Sequence, residues 1–168
     1  GTAALNITAA GSMNGPLSAK GRITLNELDF AIIDDGDKKA FSFDRLLLPF
    51  EASYHASTLH VPFLQVRGPG FILDTTSKLR FRDGAPSHLK LSVEAAAMEL
   101  KTFHRIFPSS LLPQWVDNEL FPIFSDGNVR VERFSLDGQL AQIANLDIPE
   151  NAGALQLLLD CSDLKAFK

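Results

Sequence analysis

The chain has 168 residues, of which 45% are hydrophobic and 21% are charged, and its formal net charge is −4 at pH 7. This length suits a single β-rich domain, residues 1–168, with a core of its own. Lys and Arg are scattered rather than clustered, which excludes the basic stripe of a nucleic-acid-binding protein. The one cysteine excludes an internal disulfide. No apolar run reaches the roughly 20 residues that a membrane-spanning helix needs.

The N-terminal part of the chain alternates apolar and polar side chains, which predicts β-strands. We expect strands at 5–10, 17–25, 28–33 and 41–55. The second is the clearest, because its apolar and polar residues follow an almost unbroken period of two. Segments rich in Gly, Asn and Asp separate the strands, and these residues favour turns.

The central part predicts three further strands, at 59–66, 71–81 and 89–97, joined by short turns that contain glycine. Pro62 lies inside the first of them and has no backbone N–H to donate. We therefore expect an unpaired donor position or a β-bulge at Pro62.

The periodicity becomes helical after this point. Apolar residues at helical spacing predict one helix within 99–107 and a second over 111–120, which carries Trp115. A short helical or irregular piece is expected at 140–146.

Two last strands, at 129–136 and 155–161, bring the expected number of strands to about nine. Strands joined by short turns indicate an antiparallel meander. The predicted fold is mainly β: a curved, twisted antiparallel meander sheet, like a β-groove or half-barrel, with one or two short helices around residues 99–121.

No set of residues forms a credible catalytic or metal site. The histidines, at positions 55, 60, 88 and 104, lack the converging partners that a metal ion needs. Ser109 and Ser110 precede a predicted helix and are explained by capping. The acidic turn at 34–37 resembles the start of a calcium loop, but Arg45 stands where the closing acid should be. We expect no enzymatic activity, no metal and no cofactor.

Several features together resemble a known family. They are the strand Leu17–Leu25 (LSAKGRITL), the long strands Phe43–Tyr54 and Leu59–Val66, and a helix-to-hairpin segment that runs from Leu112-Pro113-Gln114-Trp115-Val116 through Asp126-Gly127-Asn128-Val129 to Leu136-Asp137-Gly138. Over most of the chain this combination resembles the AsmA-like superfamily, in particular its large YhdP-type members with AsmA-like repeat regions.

The resemblance implies a location and a function. Such proteins belong to the Gram-negative envelope, are anchored in the inner membrane by an N-terminal helix and extend into the periplasm. They are thought to move phospholipid between the inner and outer membranes along apolar β-grooves. The chain would then be an excised periplasmic segment of a much longer protein, with phospholipid acyl chains and envelope proteins as partners. Its membrane contact would be made by parts outside this chain.

The apolar strand positions are the candidates for a lipid-binding groove. Each acyl CH₂ moved from water to such a face gains roughly 0.8 kcal/mol, and Leu and Phe offer area without hydrogen-bond demands. The candidate residues are Leu46, Leu48, Phe50, Leu59, Val61, Phe63, Phe71, Leu73, Leu79, Phe81, Leu89, Leu91 and Val93.

Other functions stay open at this stage. One is a scaffold for outer-membrane protein assembly or envelope integrity, which would offer its sheet edges to other strands. A carbohydrate-binding β-sandwich or an enzyme is disfavoured, because it should show clustered acids or aromatic platforms. The sequence also leaves open whether the apolar face is an open groove or a core covered by the helices at 99–121.

Overall fold

The computed structural model describes residues 1–12, 15–34, 37–107, 119, 121–146 and 148–166. Eight strands form one antiparallel sheet in which each strand pairs with its neighbours in sequence. The strands are β1 (Thr2–Gly11), β2 (Leu17–Asp34), β3 (Asp37–His55), β4 (Thr58–Gly68), β5 (Phe71–Arg82), β6 (Ala85–Glu99), β7 (Phe124–Gln139) and β8 (Leu155–Ala166). The sheet is open and groove-like, with β1 and β8 at its edges, so the predicted mainly β meander is confirmed.

The expected second and third strands are one continuous strand, β2. It pairs with β3 in a single register that joins Leu25 to Leu46 and Leu28 to Phe43. Between them Glu27 has a positive φ of 52°. At this point the apolar side of β2 passes from odd-numbered to even-numbered residues, and β3 changes phase at the same place, between Leu46 and Phe43, so the register is kept and the strand does not end.

The β-bulge expected at Pro62 is present. The pairing of β4 with β5 shifts register between Val61 and Leu64, and the pairing of β3 with β4 shifts between Glu51 and Ser53. Because a one-residue shift exchanges the two faces of a strand, residues on either side of Pro62 alternate in opposite phase.

In the described part of the chain, two short α-helices interrupt the sheet. The first, α1 (Leu100–Ile106), follows β6 directly and confirms the helix expected within 99–107. The second, α2 (Leu140–Ile143), follows β7 and agrees with the helical piece expected at 140–146. Short 3₁₀ turns lie at Phe121–Ile123 and Pro149–Ala154. The second expected helix, at 111–120 with Trp115, lies outside the described residues apart from Glu119.

The core lies on one face of the sheet, beneath α1. Its most buried members come from β3, β5, β6, β7 and the helix itself. They are Phe41, Phe43, Leu46, Phe71, Ala95, Met98, Leu100, Phe103, Val129, Val131, Phe134 and Leu136. Among the described residues, no helix is both long and apolar enough to cross a bilayer.

Candidate functional site

One face of the sheet is apolar across its whole width. In an antiparallel ladder, residues directly opposite one another point to the same face, so the register assigns every paired residue to one side. We call the side that carries the core the apolar face and the opposite side the outer face. The larger side chains of the apolar face on β1 to β4 are Leu5, Ile7, Leu17, Ile23, Leu25, Leu28, Phe30, Phe41, Phe43, Leu46, Leu48, Phe50, Tyr54, Leu59, Val61, Leu64 and Val66. On β5 to β8 they are Phe71, Leu73, Leu79, Phe81, Leu89, Leu91, Val93, Met98, Val129, Val131, Phe134, Leu136, Leu155, Leu157 and Leu159.

Charge is confined to the outer face over most of this area. Among the side chains that the structure describes in β1 to β6, the ladder assigns no Asp, Glu, Lys or Arg to the apolar face. The ion pairs Lys20–Glu51, at 2.6 Å, and Lys90–Asp137, at 3.0 Å, both lie on the outer face. The apolar face therefore suits an uncharged, apolar ligand, whereas the outer face suits a polar or charged one.

Even the thiol on the apolar face is neutral. Cys161 lies opposite Val129 in the ladder. Burial, and secondarily the neighbouring Asp160 carboxylate, raise the pKa of the Cys161 thiol above its usual value. The side chain therefore remains an uncharged thiol at neutral pH.

One end of the apolar face is closed by α1. Phe103 is 0% exposed and stacks on Phe107, with ring centroids 4.9 Å apart. Phe107 in turn meets the ring of Phe134 on β7 edge-on at 5.9 Å. Arg105 donates a hydrogen bond to the Pro69 carbonyl oxygen at 3.2 Å, which holds the helix to the β4–β5 turn. We call this region the closed end.

The aromatic side chains of β2, β3 and β5 continue the closed end toward the tip of the β2–β3 hairpin. Phe30 and Phe41 stack at 5.1 Å, and Phe43 meets Phe71 edge-on at 5.9 Å. The guanidinium of Arg105 lies 6.0 Å from the centre of the Phe43 ring. Much of the Phe excess of this chain is used here as ordinary core packing, as aromatic rings prefer these offset and edge-on contacts.

The opposite end of the apolar face, on β1 to β5, leaves apolar side chains in contact with solvent. Leu17 is 50% exposed and Tyr54 is 42% exposed, and the two residues lie directly opposite each other in the ladder. Tyr54 meets Phe81 edge-on at 6.1 Å. We call this region the open end.

The open end contains a shallow trough of about 400 Å³. Four neighbouring strands line it with small and apolar side chains. Its lining is Ala9, Ala10, Gly11, Leu17, Ser18, Ala19, Ala52, Ser53, Tyr54 and Leu59. Although Ser18, Ser53 and Tyr54 contribute hydroxyl groups, most of the lining is apolar and suits an apolar group.

The structure brings twelve of the thirteen lipid-binding candidates onto the apolar face, and Phe63 is the exception. Leu46 and Phe71 are part of the buried core beneath α1. The half-buried Leu48, Leu73, Leu91 and Val93 pack against that core. The remaining six, also half-buried, are Phe50, Leu59, Val61, Leu79, Phe81 and Leu89.

Phe63 pairs with Glu51 and therefore lies on the outer face. The cause is the bulge at Pro62, which reverses the alternation in the second half of β4. Leu64 and Val66 occupy the apolar face in its place. Pro62 was the signal that could have identified them, since a bulge at that position implies the change of phase.

The sequence-based candidates also omitted the apolar residues of β7 and β8. Val129, Val131 and Phe134 are among the most buried residues of the described chain. Their alternation was visible in the sequence, but only the pairing of β6 with β7 shows that they continue the same face.

The outer face holds scattered polar groups. The hydrogen bond and charge of Lys165, with a hydrogen bond from the Gly127 backbone N–H, hold the pKa of Asp126 below its usual value of 3.8. A hydrogen bond from Lys90 lowers the pKa of Asp137 in the same way. Within the described part of the chain, no three His, Cys, Asp or Glu side chains come together as metal ligands would.

Comparisons with known proteins add no relative. No protein-family profile, no curated protein and no solved structure matches this chain.

Proposed function

We propose that this chain is a non-enzymatic segment of a bridge-like periplasmic protein, and that it moves phospholipid between membranes along its apolar face. The observation that supports the proposal most directly is the apolar face, which crosses the whole sheet, carries no charged side chain among those described in β1 to β6, and stays solvent-exposed at the open end. The resemblance of the sequence to the AsmA-like superfamily supplies the envelope setting.

The physical chemistry of the apolar face suits acyl chains. All strands but the two at the edges are paired on both sides, so their backbone polar groups are satisfied within the sheet. Each acyl CH₂ that leaves water gains roughly 0.8 kcal/mol, whichever part of the face it touches. Since the attraction is not directional, an acyl chain can slide along the face while its headgroup stays in water.

The two ends of the apolar face differ in how accessible they are to lipid. At α1 the apolar face is already covered by Phe103 and its neighbours, so an acyl chain finds no free surface there. At the open end Leu17 and Tyr54 are exposed. Lipid would therefore occupy the open end first, and the Leu46 and Phe71 region only if α1 moved away.

The proposal is tested with two matched double variants, each at a directly opposed pair of residues. Leu17 and Tyr54 oppose each other on the apolar face, while Thr76 and Ser92 oppose each other on the outer face, away from the trough. Leu17→Asp with Tyr54→Asp places two charges in the trough. Thr76→Asp with Ser92→Asp adds the same charges to the outer face and serves as the control.

The measurement is photo-crosslinking to a phospholipid that carries a photoactivatable acyl chain, in vesicles of phosphatidylethanolamine and phosphatidylglycerol. We expect cross-links on the apolar face of β2 to β5, a loss of about tenfold or more in the Leu17/Tyr54 variant, and wild-type yield in the Thr76/Ser92 variant. Equal yields in both variants, or cross-links mainly on Lys78 and Arg80 of the outer face, would contradict the proposal.

A scaffold for outer-membrane protein assembly is the second candidate. It is favoured by one observation: every residue of β1 is exposed, and β1 is an edge strand of the described sheet, a position at which another strand could be added. If β1 acts in this way, cross-linkers on β1 should capture nascent outer-membrane proteins in cells, with no lipid on the apolar face.

A further inference from the structure

The outer face of β6, β7 and β8 contains a polar cavity of about 360 Å³, which we call the outer cavity. On its β8 side it is bounded by Gly153 and Ala154, at the end of the Pro149–Ala154 turn. The polar side chains that line it are Lys90, Ser92, Arg133, Ser135, Asp137 and Gln156. A cavity in which several polar groups converge suits a polar ligand.

Two serines form the middle of the outer cavity. Ser92 of β6 and Ser135 of β7 are directly opposed in the ladder, and Gln156 of β8 is the next residue in the same row. Opposed residues have Cβ atoms about 4.5–5.5 Å apart, so the two hydroxyl groups can donate to one bound group. The row therefore offers two O–H donors and an amide side by side.

A cation lies on each side of this pair of serines. Lys90 is two residues before Ser92 on β6, and Arg133 is two residues before Ser135 on β7. Because β6 and β7 are antiparallel, these two positions lie on opposite sides of the Ser92–Ser135 row. Two residues of a strand span about 7 Å, a distance that long cationic side chains can cover. A group that contacts both serines is therefore within reach of two positive charges.

The donors of the outer cavity are not used within the described chain. No hydrogen bond or ion pair with another described residue is formed by the side chains of Ser92, Arg133, Ser135 and Gln156. Glu132, the acid next to Arg133 in sequence, is paired with Arg130 instead, at 3.2 Å. The guanidinium of Arg133 is therefore available to a ligand.

The acid in the lining, Asp137, is already balanced by cations. Lys90 Nζ lies 3.0 Å from its carboxylate, and His88 Nε2 lies 3.5 Å from it. The ammonium of Lys90 has three N–H donors, so it can keep this contact and still donate to a ligand. Arg133 then adds an unbalanced positive charge to the outer cavity.

We propose that the outer cavity binds the phosphate group of a small, soluble phosphomonoester. Phosphate presents several acceptor oxygens at once, which matches two hydroxyls, an ammonium and a guanidinium, and Arg can bind it through two parallel N–H···O bonds. A carboxylate has only two oxygens and would leave some of these donors unused. A phosphate group also fills only part of the volume, which leaves room for a small organic part such as glycerol.

A soluble ester fits this position better than the headgroup of a phospholipid. The outer cavity opens on the charged side of the sheet, where a bound lipid would hold its acyl chains in water and away from the apolar face. The inference goes beyond the proposed function, since nothing in the outer cavity depends on lipid.

Two arginine variants test the site. Arg133→Gln removes the guanidinium from the outer cavity, whereas Arg22→Gln removes the same charge from the outer face of β2, outside the cavity lining. The measurement is isothermal titration calorimetry of the purified chain with inorganic phosphate and with glycerol 3-phosphate. We expect wild type and Arg22→Gln to bind both probes equally, and Arg133→Gln to bind them about tenfold more weakly or worse. Equal weakening in both variants, or no saturable binding to wild type up to about 10 mM, would overturn the proposal.

Asp137→Asn should change the affinity in the opposite direction. This substitution removes a negative charge from the lining and releases Lys90 for the ligand, so both probes should bind about threefold more tightly. Asp29→Asn removes the same charge from the outer face of β2 and should leave the affinity unchanged. A general loss of structure cannot produce tighter binding. Unchanged or weaker binding in Asp137→Asn would therefore contradict the site.

Three further comparisons define the ligand. Glycerol should not bind, and glycerol 3-phosphate should bind at least as tightly as inorganic phosphate, because the rest of the outer cavity accepts the glycerol. Vesicles of phosphatidylcholine with phosphatidic acid, whose headgroup is also a phosphomonoester, should not displace glycerol 3-phosphate. Displacement would assign the site to a lipid headgroup, and binding of inorganic phosphate alone would exclude an ester. Either result would overturn the proposal.

Discussion

At the scale of single residues, the closed end depends on one side chain more than on any other. Phe103 is fully buried although it belongs to a helix of only 7 residues. A helix this short has little stability of its own, so its packing must hold it in place. Phe103 provides that packing through its ring contact with Phe107 and its place in the core.

Phe103→Ala should therefore lower the free energy of unfolding by about 3–5 kcal/mol, because a large buried ring is lost and a cavity remains. Urea denaturation, monitored by far-UV circular dichroism, measures this change in the free energy of unfolding. Leu158→Ala is the control: Leu158 lies on the outer face of β8 and is 59% exposed, so its loss should change stability by less than about 0.5 kcal/mol. A small effect of Phe103→Ala would mean that α1 is only loosely held.

The Asp126 carboxylate makes stability depend on pH in the acid range. Its pKa in the folded chain lies below the usual 3.8, mainly because Lys165 donates a hydrogen bond to it. The stabilisation is therefore present above pH 3.8 and is lost as the pH falls through the lower folded value. Asp126→Asn should flatten the acid side of a plot of urea midpoint against pH. An unchanged acid slope would show that the Lys165 contact, at 3.1 Å, contributes nothing.

At the scale of elements, alternation and turn chemistry made the strands predictable. The near-continuous period of two at Leu17–Leu25 predicted its strand, and Pro62 predicted its bulge. The prediction that Phe63 lies on the apolar face was wrong. The bulge at Pro62 reverses which residues after it point to that face, and the prediction kept the alternation of the residues before it. The sequence predicts two strands where the structure has the single strand β2. A positive φ inside a strand is usually marked by glycine, but here the residue is Glu27, so the sequence does not show that the strand continues through it.

The candidate site was less predictable than the strands. Alternation separates the two sides of each strand, but it does not show which part of the apolar side is covered. That depends on contacts such as Phe107 with Phe134, which join residues far apart in sequence. The expected cover by Trp115 falls outside the described residues.

Two tight hairpins differ in how well their residues suit the turn. The β5–β6 turn has Asp83 and Gly84, with φ of 53° and 79°, and the β3–β4 turn has Ala56 and Ser57, with φ of 46° and 56°. Positive φ at both positions favours Asn-Gly or Asp-Gly, whereas Ala and Ser are strained there. The second turn therefore keeps strain that the first avoids.

Ala56→Asn with Ser57→Gly should relieve that strain and raise the free energy of unfolding by about 0.5–2 kcal/mol. The reverse exchange, Asp83→Ala with Gly84→Ser, should lower it by a similar amount. Both are measured by urea denaturation. A change of stability in the same direction in both exchanges would contradict the difference in strain between the two turns.

At the scale of the whole molecule, the meander limits each strand to its neighbours in sequence. Stability should therefore fall from the strands beneath α1 toward the β1 edge, because β1 buries little and is paired on one side only. Such differences appear as local opening of different free energies in one molecule.

Hydrogen exchange followed by mass spectrometry should detect this gradient. At low protein concentration we expect the slowest exchange in β6 and β7, around Met98 and Val129, and the fastest strand exchange in β1. Uniform protection of all strands at low concentration would contradict the gradient.

Because the charged side chains lie mainly on one face of the sheet, the protein should behave in a characteristic way at an interface between water and an apolar phase. A sheet with charged side chains on one face and apolar side chains on the other is amphiphilic as a whole. At an interface between water and an apolar phase, such a sheet lowers its free energy by lying flat with its apolar face toward that phase. The described sheet would thus be surface-active by itself, and mild detergent should disperse the protein rather than unfold it.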